Sequence, residues 1–311
     1  MKPPEGRTMS FPLAQLEQIS VAATVSLSST LLLALDRVGA SLVVINPRNP
    51  EHGLVCGGPG HGNLARRMRQ FLWHRDESAR LAAAREVVGV RLLHQYRALA
   101  RHRKRRHDMR RPLTRAMQQI RARWLSLPAA ADLNAVRGLE GAATAAYYLA
   151  WGQLLPRPWK FQGRRRRPPT DPVNAVLSLT FTLLHGEAVR ALLSVGLDPA
   201  IGALHEITYG RQSLACDLLE LRRTAAEQWI LQLFREGAFA PGHFAEGAER
   251  PCLLNKEGRA QFYPRYQEEA RRWRTELRQL AQQWAKRVDD WDEKHDLSEC
   301  VDSHGAALPD H

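Results

Sequence analysis

Residues 18–45 read QISVAATVSLSSTLLLALDRVGASLVVI, and this stretch sets the fold class. Gln18–Leu27 is partly alternating and β-branched, which predicts a half-buried strand. Ser28-Ser29 offers a helix cap ahead of Leu31, Leu32, Leu33 and Leu35. Gly39 ends that helix, and Ser41–Ile45 reads as a second strand closed by Asn46-Pro47 and Asn49-Pro50. Leu54–Cys56 reads as a third short strand before the glycine-rich 57–62. A small sheet with one intervening helix follows from these signals.

Beyond Asn63 the composition changes. Proline and β-branched residues thin out, and Ala, Leu, Arg and Gln dominate. Helices are expected within 63–107 and over 112–125, 132–155, 172–195, 199–208, 212–236 and 260–288. Breaks fall at Pro156/Pro158, Pro168-Pro169, Gly196–Pro199 and Gly237–Pro251. The expected architecture is α+β: an N-terminal β domain (1–62), a larger all-helical catalytic domain (63–288) and an acidic tail (289–311). That tail carries Asp289, Asp290, Asp292, Glu293, Asp296, Glu299, Asp302 and Asp310 against Lys294 alone, and it is expected to be mobile.

The 311 residues hold 45 Lys+Arg against 32 Asp+Glu, a formal charge of +13. Such a surplus points to a polyanion. A bilayer is the weaker candidate, because no apolar run approaches the roughly 18–20 residues needed to span one. Val176–Leu184 is too short, and Thr30–Ile45 is interrupted by Asp36 and Arg37. The N-terminus lacks the layout of a signal peptide, so a cytoplasmic protein is expected. Cys56, Cys216, Cys252 and Cys300 are far apart, without zinc-ligand or disulfide-framework spacing.

Two basic clusters stand out. Arg101–Arg111 includes Arg101, Arg103, Lys104, Arg105 and Arg106, and Arg164, Arg165, Arg166 and Arg167 are consecutive. Either could be a solvated face. Crowded like charge is relieved by phosphate, however, and arginine grips phosphate bidentately, so both clusters are expected to contact nucleic acid. They would set position and register rather than read sequence.

Chemistry must come from other groups. Glu140 lies between Gly138 and Gly141 in a run of small residues, either as a ligand approached closely or at the edge of a tight helix crossing. His205 is expected about two turns into a helix opened by Asp198-Pro199, as a ligand or a satisfied histidine. Asp217 and Glu220, three apart, share a helix face, flanking a cation or simply solvated. Taken together, these carboxylates and one imidazole suit Mg²⁺ or Mn²⁺, and an ion beside arginine clusters suggests phosphodiester chemistry.

The ordered motifs go further. They are Glu140-Gly141 with Tyr147-Tyr148, then Arg166-Arg167-Pro168-Pro169-Thr170-Asp171-Pro172-Val173-Asn174-Ala175, then Gly196-Leu197-Asp198-Pro199 running to Gly202 and His205. Ser213-Leu214-Ala215-Cys216-Asp217-Leu218-Leu219-Glu220 and Leu253-Leu254-Asn255-Lys256-Glu257-Gly258 follow. In order and spacing, 137–263 resembles the CRISPR adaptation integrase, the first of the CRISPR-associated proteins, a metal-dependent DNA endonuclease that inserts spacers. Gln70 and Gln95 fall at familiar places in the N-terminal part. The resemblance implies metal ligands at Glu140, His205 and Glu220, with Asp217 as an additional acidic residue. It also implies a homodimer through the N-terminal domain, double-stranded DNA substrates (protospacer and repeat) and a second adaptation protein bridging two dimers. The usual Phe-Arg-Pro after the last acidic ligand is Leu221-Arg222-Arg223 here. Transposase relatives share the same ligands, and a non-catalytic DNA scaffold would use only the basic surface. Tyr147 and Tyr148 are expected to pack in the core rather than stack on bases.

Overall fold

The computed structural model describes residues 10–13, 16, 18–21, 25–44, 54–56, 64–159, 161–165, 168–247 and 250–295. Three strands, β1 (Gln18–Val21), β2 (Ser41–Val44) and β3 (Leu54–Cys56), form one sheet in the order β1-β2-β3. β1 and β2 are parallel, with Gln18 opposite Ser41, and β3 runs antiparallel with Cys56 opposite Leu42. Helix α1 (Ser29–Arg37) makes the crossover that a parallel pair requires. The Ser28 hydroxyl accepts the Leu31 N–H at its start, and Gly39 turns the chain out of it at φ +66°. Val21, Leu35, Ala40 and Leu42 form a small separate core. Val43, on the opposite face of β2, joins the helical core instead, against Gly186. The first expected strand is shorter than its pattern suggested, since Val25–Leu27 are not strand.

The helical body contains α2 (Leu64–Arg75), α3 (Glu77–Arg105), α4 (Arg110–Ser126), α5 (Leu133–Gly152), α6 (Pro172–Ser194), α7 (Ser213–Arg235) and α8 (Lys256–His295). Side-chain caps explain the starts of α3, α5 and α6. Asp76 accepts from Ser78 and Ala79, Asp132 from Ala135, and Asp171 from Asn174 with Pro172 in the first turn. α6 lies at the centre, against α7 and α8. At 23 residues it is long and apolar enough to cross a membrane, which the sequence reading overlooked. Its length is sheathed by protein, and it buries Asn174, Thr180 and Glu187 with partners.

Three expectations are corrected. Residues 199–208 are not helical but an irregular loop. A hairpin, β4 (Phe244–Gly247) paired antiparallel with β5 (Arg250–Leu254), fills what was read as a break. Helix α8 continues to His295, so Asp289 and Asp290 are helical. Asp289 pairs with Arg66 and Arg69, and the Trp291 indole donates to Asp76, tying the end of α8 to α2 and α3. Residues 296–311 of the expected tail lie outside the described residues.

Candidate metal centre

Glu140 on α5 and Glu220 on α7 meet at a buried arginine of α3. Arg91 Nε is 3.1 Å from Glu140 Oε1, and Arg91 Nη1 is 2.5 Å from Glu220 Oε2. Glu227, two turns further along the same face of α7, stands 4.0 Å from Arg91 Nη2 and accepts the Tyr148 hydroxyl at 2.6 Å. The Thr144 hydroxyl donates to Glu140 at 2.7 Å, and the Gln95 amide donates to Thr144. Burial alone would lower the Arg91 pKa, but the carboxylates of Glu220, Glu227 and Glu140 outweigh it and raise the pKa. Burial raises the Glu227 carboxyl, and the same burial raises both Tyr147 and Tyr148. Arg223, at the departure from the usual Phe-Arg-Pro, reaches the other oxygen of Glu220 at 2.8 Å and lies 4.6 Å over the Phe181 ring.

His205 arrives by a different route. The loop between α6 and α7 leaves helix at Gly196 (φ +76°) and folds back, with Leu214 N–H donating to Pro199 O. Its backbone groups are taken by side chains from four helices. Gln70 donates to the carbonyls of Asp198 and Ile201 and accepts the Asp198 N–H. His74 meets the Gly202 carbonyl, Arg80 donates to that of Ala203, and Arg137 to that of Leu204. Asp217 accepts the N–H groups of Ala203, Leu204 and His205. Arg80 and Arg137 also clamp Glu206, and their hydrogen bonds hold its carboxyl below the usual range. A helix over 199–208 would need these same backbone groups, which is why the capping signal at Asp198-Pro199 does not yield one. Asp198 instead accepts the Ala200 N–H in a local turn.

The ring of His205 is fixed as well. Asp217 Oδ1 meets His205 Nδ1 at 2.6 Å, leaving Nε2 as the nitrogen for a ligand. Both Asp217 oxygens are occupied inside a fully buried site, so Asp217 orients the loop and the ring. The donor set of Glu140, Glu220 and His205, oxygen with one imidazole, suits Mg²⁺ or Mn²⁺ in kind. Its oxygens are turned onto arginines, and among the described residues no three His, Cys, Asp or Glu side chains gather closely enough to hold an ion.

The basic clusters divide. Arg164 is turned inward, donating to Asn174 Oδ1 and the Ser178 hydroxyl beneath Phe181, and so pins its loop to α6. Arg165 is exposed, while Arg166 and Arg167 lie outside the described residues. Arg101, Lys104 and Arg105 are exposed at the end of α3, Arg103 is half-buried, and Arg106 is paired with Asp108. Tyr147 and Tyr148 are core residues. Arg91, Thr144, Glu227 and His74 were missed, and Gln70 was noted without a role. The only signal for Arg91 was a charge set among Val87, Val88 and Leu92 on one helical stripe.

The family model described as CRISPR associated protein Cas1 matches residues 2–268. The chain belongs to the Cas1 family. A relative called CRISPR-associated endonuclease Cas1, from Thermodesulfovibrio yellowstonii, is 32% identical over 90% of this chain and 88% of its own length. Among solved structures, a chain of a Cas6-RT-Cas1–Cas2 complex superposes with a TM-score of 0.82 at 21% identity, covering 93% of this chain and 33% of that longer one. A casposase bound to integration product superposes with a TM-score of 0.72 at 19% identity, covering 87% of this chain and 79% of the casposase. These likenesses place the Cas1 fold on the α+β architecture described above. Cas1 relatives carry the name endonuclease, and this chain is a member of that endonuclease family.

Proposed function

We propose that this Cas1 is a metal-dependent DNA integrase that inserts spacer DNA into a CRISPR array. The 3′-hydroxyl of a captured strand attacks a phosphodiester at the leader–repeat junction, and the 3′ oxygen of the target strand leaves. The bond formed and the bond broken are both phosphoester bonds, so no covalent enzyme intermediate is required. The observation that carries the reading is the meeting of Glu140 and Glu220 from two helices at Arg91, with a His205 ring oriented by Asp217, three residues before Glu220 on the same helix. Glu140, His205 and Glu220 would hold Mg²⁺ or Mn²⁺, which when bound supplies Lewis-acid polarisation of the phosphoryl oxygen and charge stabilisation at the attacking and leaving oxygens.

The chain's own residues do the rest. Asp217 fixes His205 in one orientation and leaves its Nε2 outward. Arg165, followed in sequence by Arg166 and Arg167, and the separate run of Arg101, Arg103, Lys104 and Arg105 bind phosphates and set register without reading bases. Exposed apolar residues on α1 and α2 (Leu32, Leu33, Leu64, Met68, Phe71 and Leu72) suit a homodimer contact on the N-terminal side. The second adaptation protein would bridge two such dimers in the cytoplasm, a reading supported by the Cas1–Cas2 complex among the structural relatives.

A strand-transfer assay tests the proposal, using purified protein, a duplex with 3′-overhangs, a supercoiled repeat plasmid and Mg²⁺ or Mn²⁺. Joining that needs the ion and disappears in Glu140→Ala, His205→Ala and Glu220→Ala is the expected result. Tight DNA binding without joining, even with the second adaptation protein added, would leave a DNA scaffold. The casposase likeness favours one further reading, integration of a mobile element, and mapping the insertion sites separates it from array insertion.

A further inference from the structure

A fully buried cation sits where Glu140 and Glu220 meet, and the integrase reading does not account for it. Arg91 is 1% exposed and contacts Glu140 and Glu220 through separate nitrogens. Glu220 is then held from its other oxygen by Arg223, itself buried. Each Glu220 oxygen therefore faces a different guanidinium. The Arg91 guanidinium also reaches the Thr144 hydroxyl and stands 4.0 Å from Glu227.

We propose that Arg91 is a resident cation of the metal centre: it holds Glu140 and Glu220 together without an ion, and ion binding must exchange its contacts for metal contacts. The proposal rests on Glu140 and Glu220 being metal ligands. Two physical points carry it. Glu220 and Glu227 are buried, and carboxylates there without a counter-charge are strongly unfavourable, so the ion-free protein needs a cation in this position to stay folded. A guanidinium at contact distance also occupies the oxygens that an ion would use and repels it in a medium of low dielectric. Arg91 is thus a positioning residue that keeps the site assembled and makes its hold on the ion weaker than the donor set alone would give. Arg223 adds a second competitor, at the position where the family pattern has proline.

Calorimetric titration of the full-length protein with Mn²⁺, joined to thermal melting in Mn²⁺ or chelator, decides the matter. Arg91→Gln is expected to melt below the wild type in chelator and to gain more from Mn²⁺ than the wild type does. Its Mn²⁺ affinity should be about tenfold tighter, through removal of one adjacent like charge. Arg223→Leu, which leaves the contacts of Arg91 itself in place, should shift the affinity in the same direction by about threefold, and it decides the question if Arg91→Gln does not fold. Unchanged or weaker Mn²⁺ binding in the folded variants overturns the resident-cation proposal, provided Glu140→Gln still abolishes binding in the otherwise wild-type protein. If Glu140→Gln leaves Mn²⁺ binding intact, the metal reading of this site fails, and the proposal fails with it.

Discussion

The two halves of the candidate site are built by opposite means. Glu140 and Glu220 stand on regular helices, and their meeting is set by how α5 and α7 pack against α3, with Arg91 closing the gap. His205 stands on a loop with no regular structure, held by Gln70, His74, Arg80, Arg137 and Asp217, whose side chains take over its backbone hydrogen bonds. The helical half owes its geometry to periodicity and burial. The loop half owes it to a few polar contacts between residues far apart in sequence. The helical half should therefore bend under substitution, while the loop half should break.

Gly202 is where breakage is expected first. A Cβ there would lie 2.7 Å from Asp217 Oδ2 and 2.7 Å from the Ser213 carbonyl carbon, with no flexible chain to give way. Gly202→Ala should cost about 3 kcal/mol or more by overpacking and by displacing Asp217. Chemical denaturation measures that loss, and strand transfer should vanish with it.

Asp217→Asn sharpens the contrast. It keeps the volume but replaces one acceptor oxygen with a donor facing the loop N–H groups and His205 Nδ1. Expected losses are about 2–3 kcal/mol of stability and about 10–100-fold in metal affinity, read by denaturation and Mn²⁺ titration. Tyr148→Phe tests the helical half. It removes the hydroxyl that donates to buried Glu227 and should cost about 1–2 kcal/mol while strand transfer survives, since Glu140 and Glu220 keep their helices. Asp76→Ala touches neither half. It removes the α3 cap and the acceptor for Trp291, costs about 1 kcal/mol, and should leave activity unchanged.

The smallest effect is a slope. Burial lowers the His185 pKa to about 4, against a hydrogen bond to the Gln212 backbone at the end of the loop. The unfolded chain therefore takes up a proton near pH 6.5 that the folded chain refuses until about pH 4. Stability should fall as pH drops through that window. His185→Gln should flatten the fall by up to one proton, measurable as the pH dependence of the denaturation midpoint.

The same division explains what the sequence allowed to be read. The strand–helix–strand order at 18–44, the Ser28 cap and the break at Gly196 depend on neighbours within a few residues, and they stand in the structure as expected. The helix expected over 199–208 does not form, because its backbone is claimed by Gln70 and Arg80, more than 120 positions away. The β4–β5 hairpin hid among glycine and proline signals that resemble a loop. Arg91 was invisible for a related reason: a buried cation is recognised only by the carboxylates that surround it, and those lie on two other helices. Arg164 ran the other way, an arginine in a basic run that folds inward onto Asn174.

Metal-directed cleavage of the backbone tests most directly that residues from both halves form one centre. Fe²⁺ would replace the native ion, with ascorbate and peroxide generating radicals at the bound metal, and the fragments would be mapped by mass spectrometry. Cuts are expected near residues 140, 205 and 220 together, all suppressed by excess Mg²⁺ or Mn²⁺ and all lost in Glu220→Ala. Cuts confined to one of the three segments, or unaffected by Glu220→Ala, would contradict a single centre.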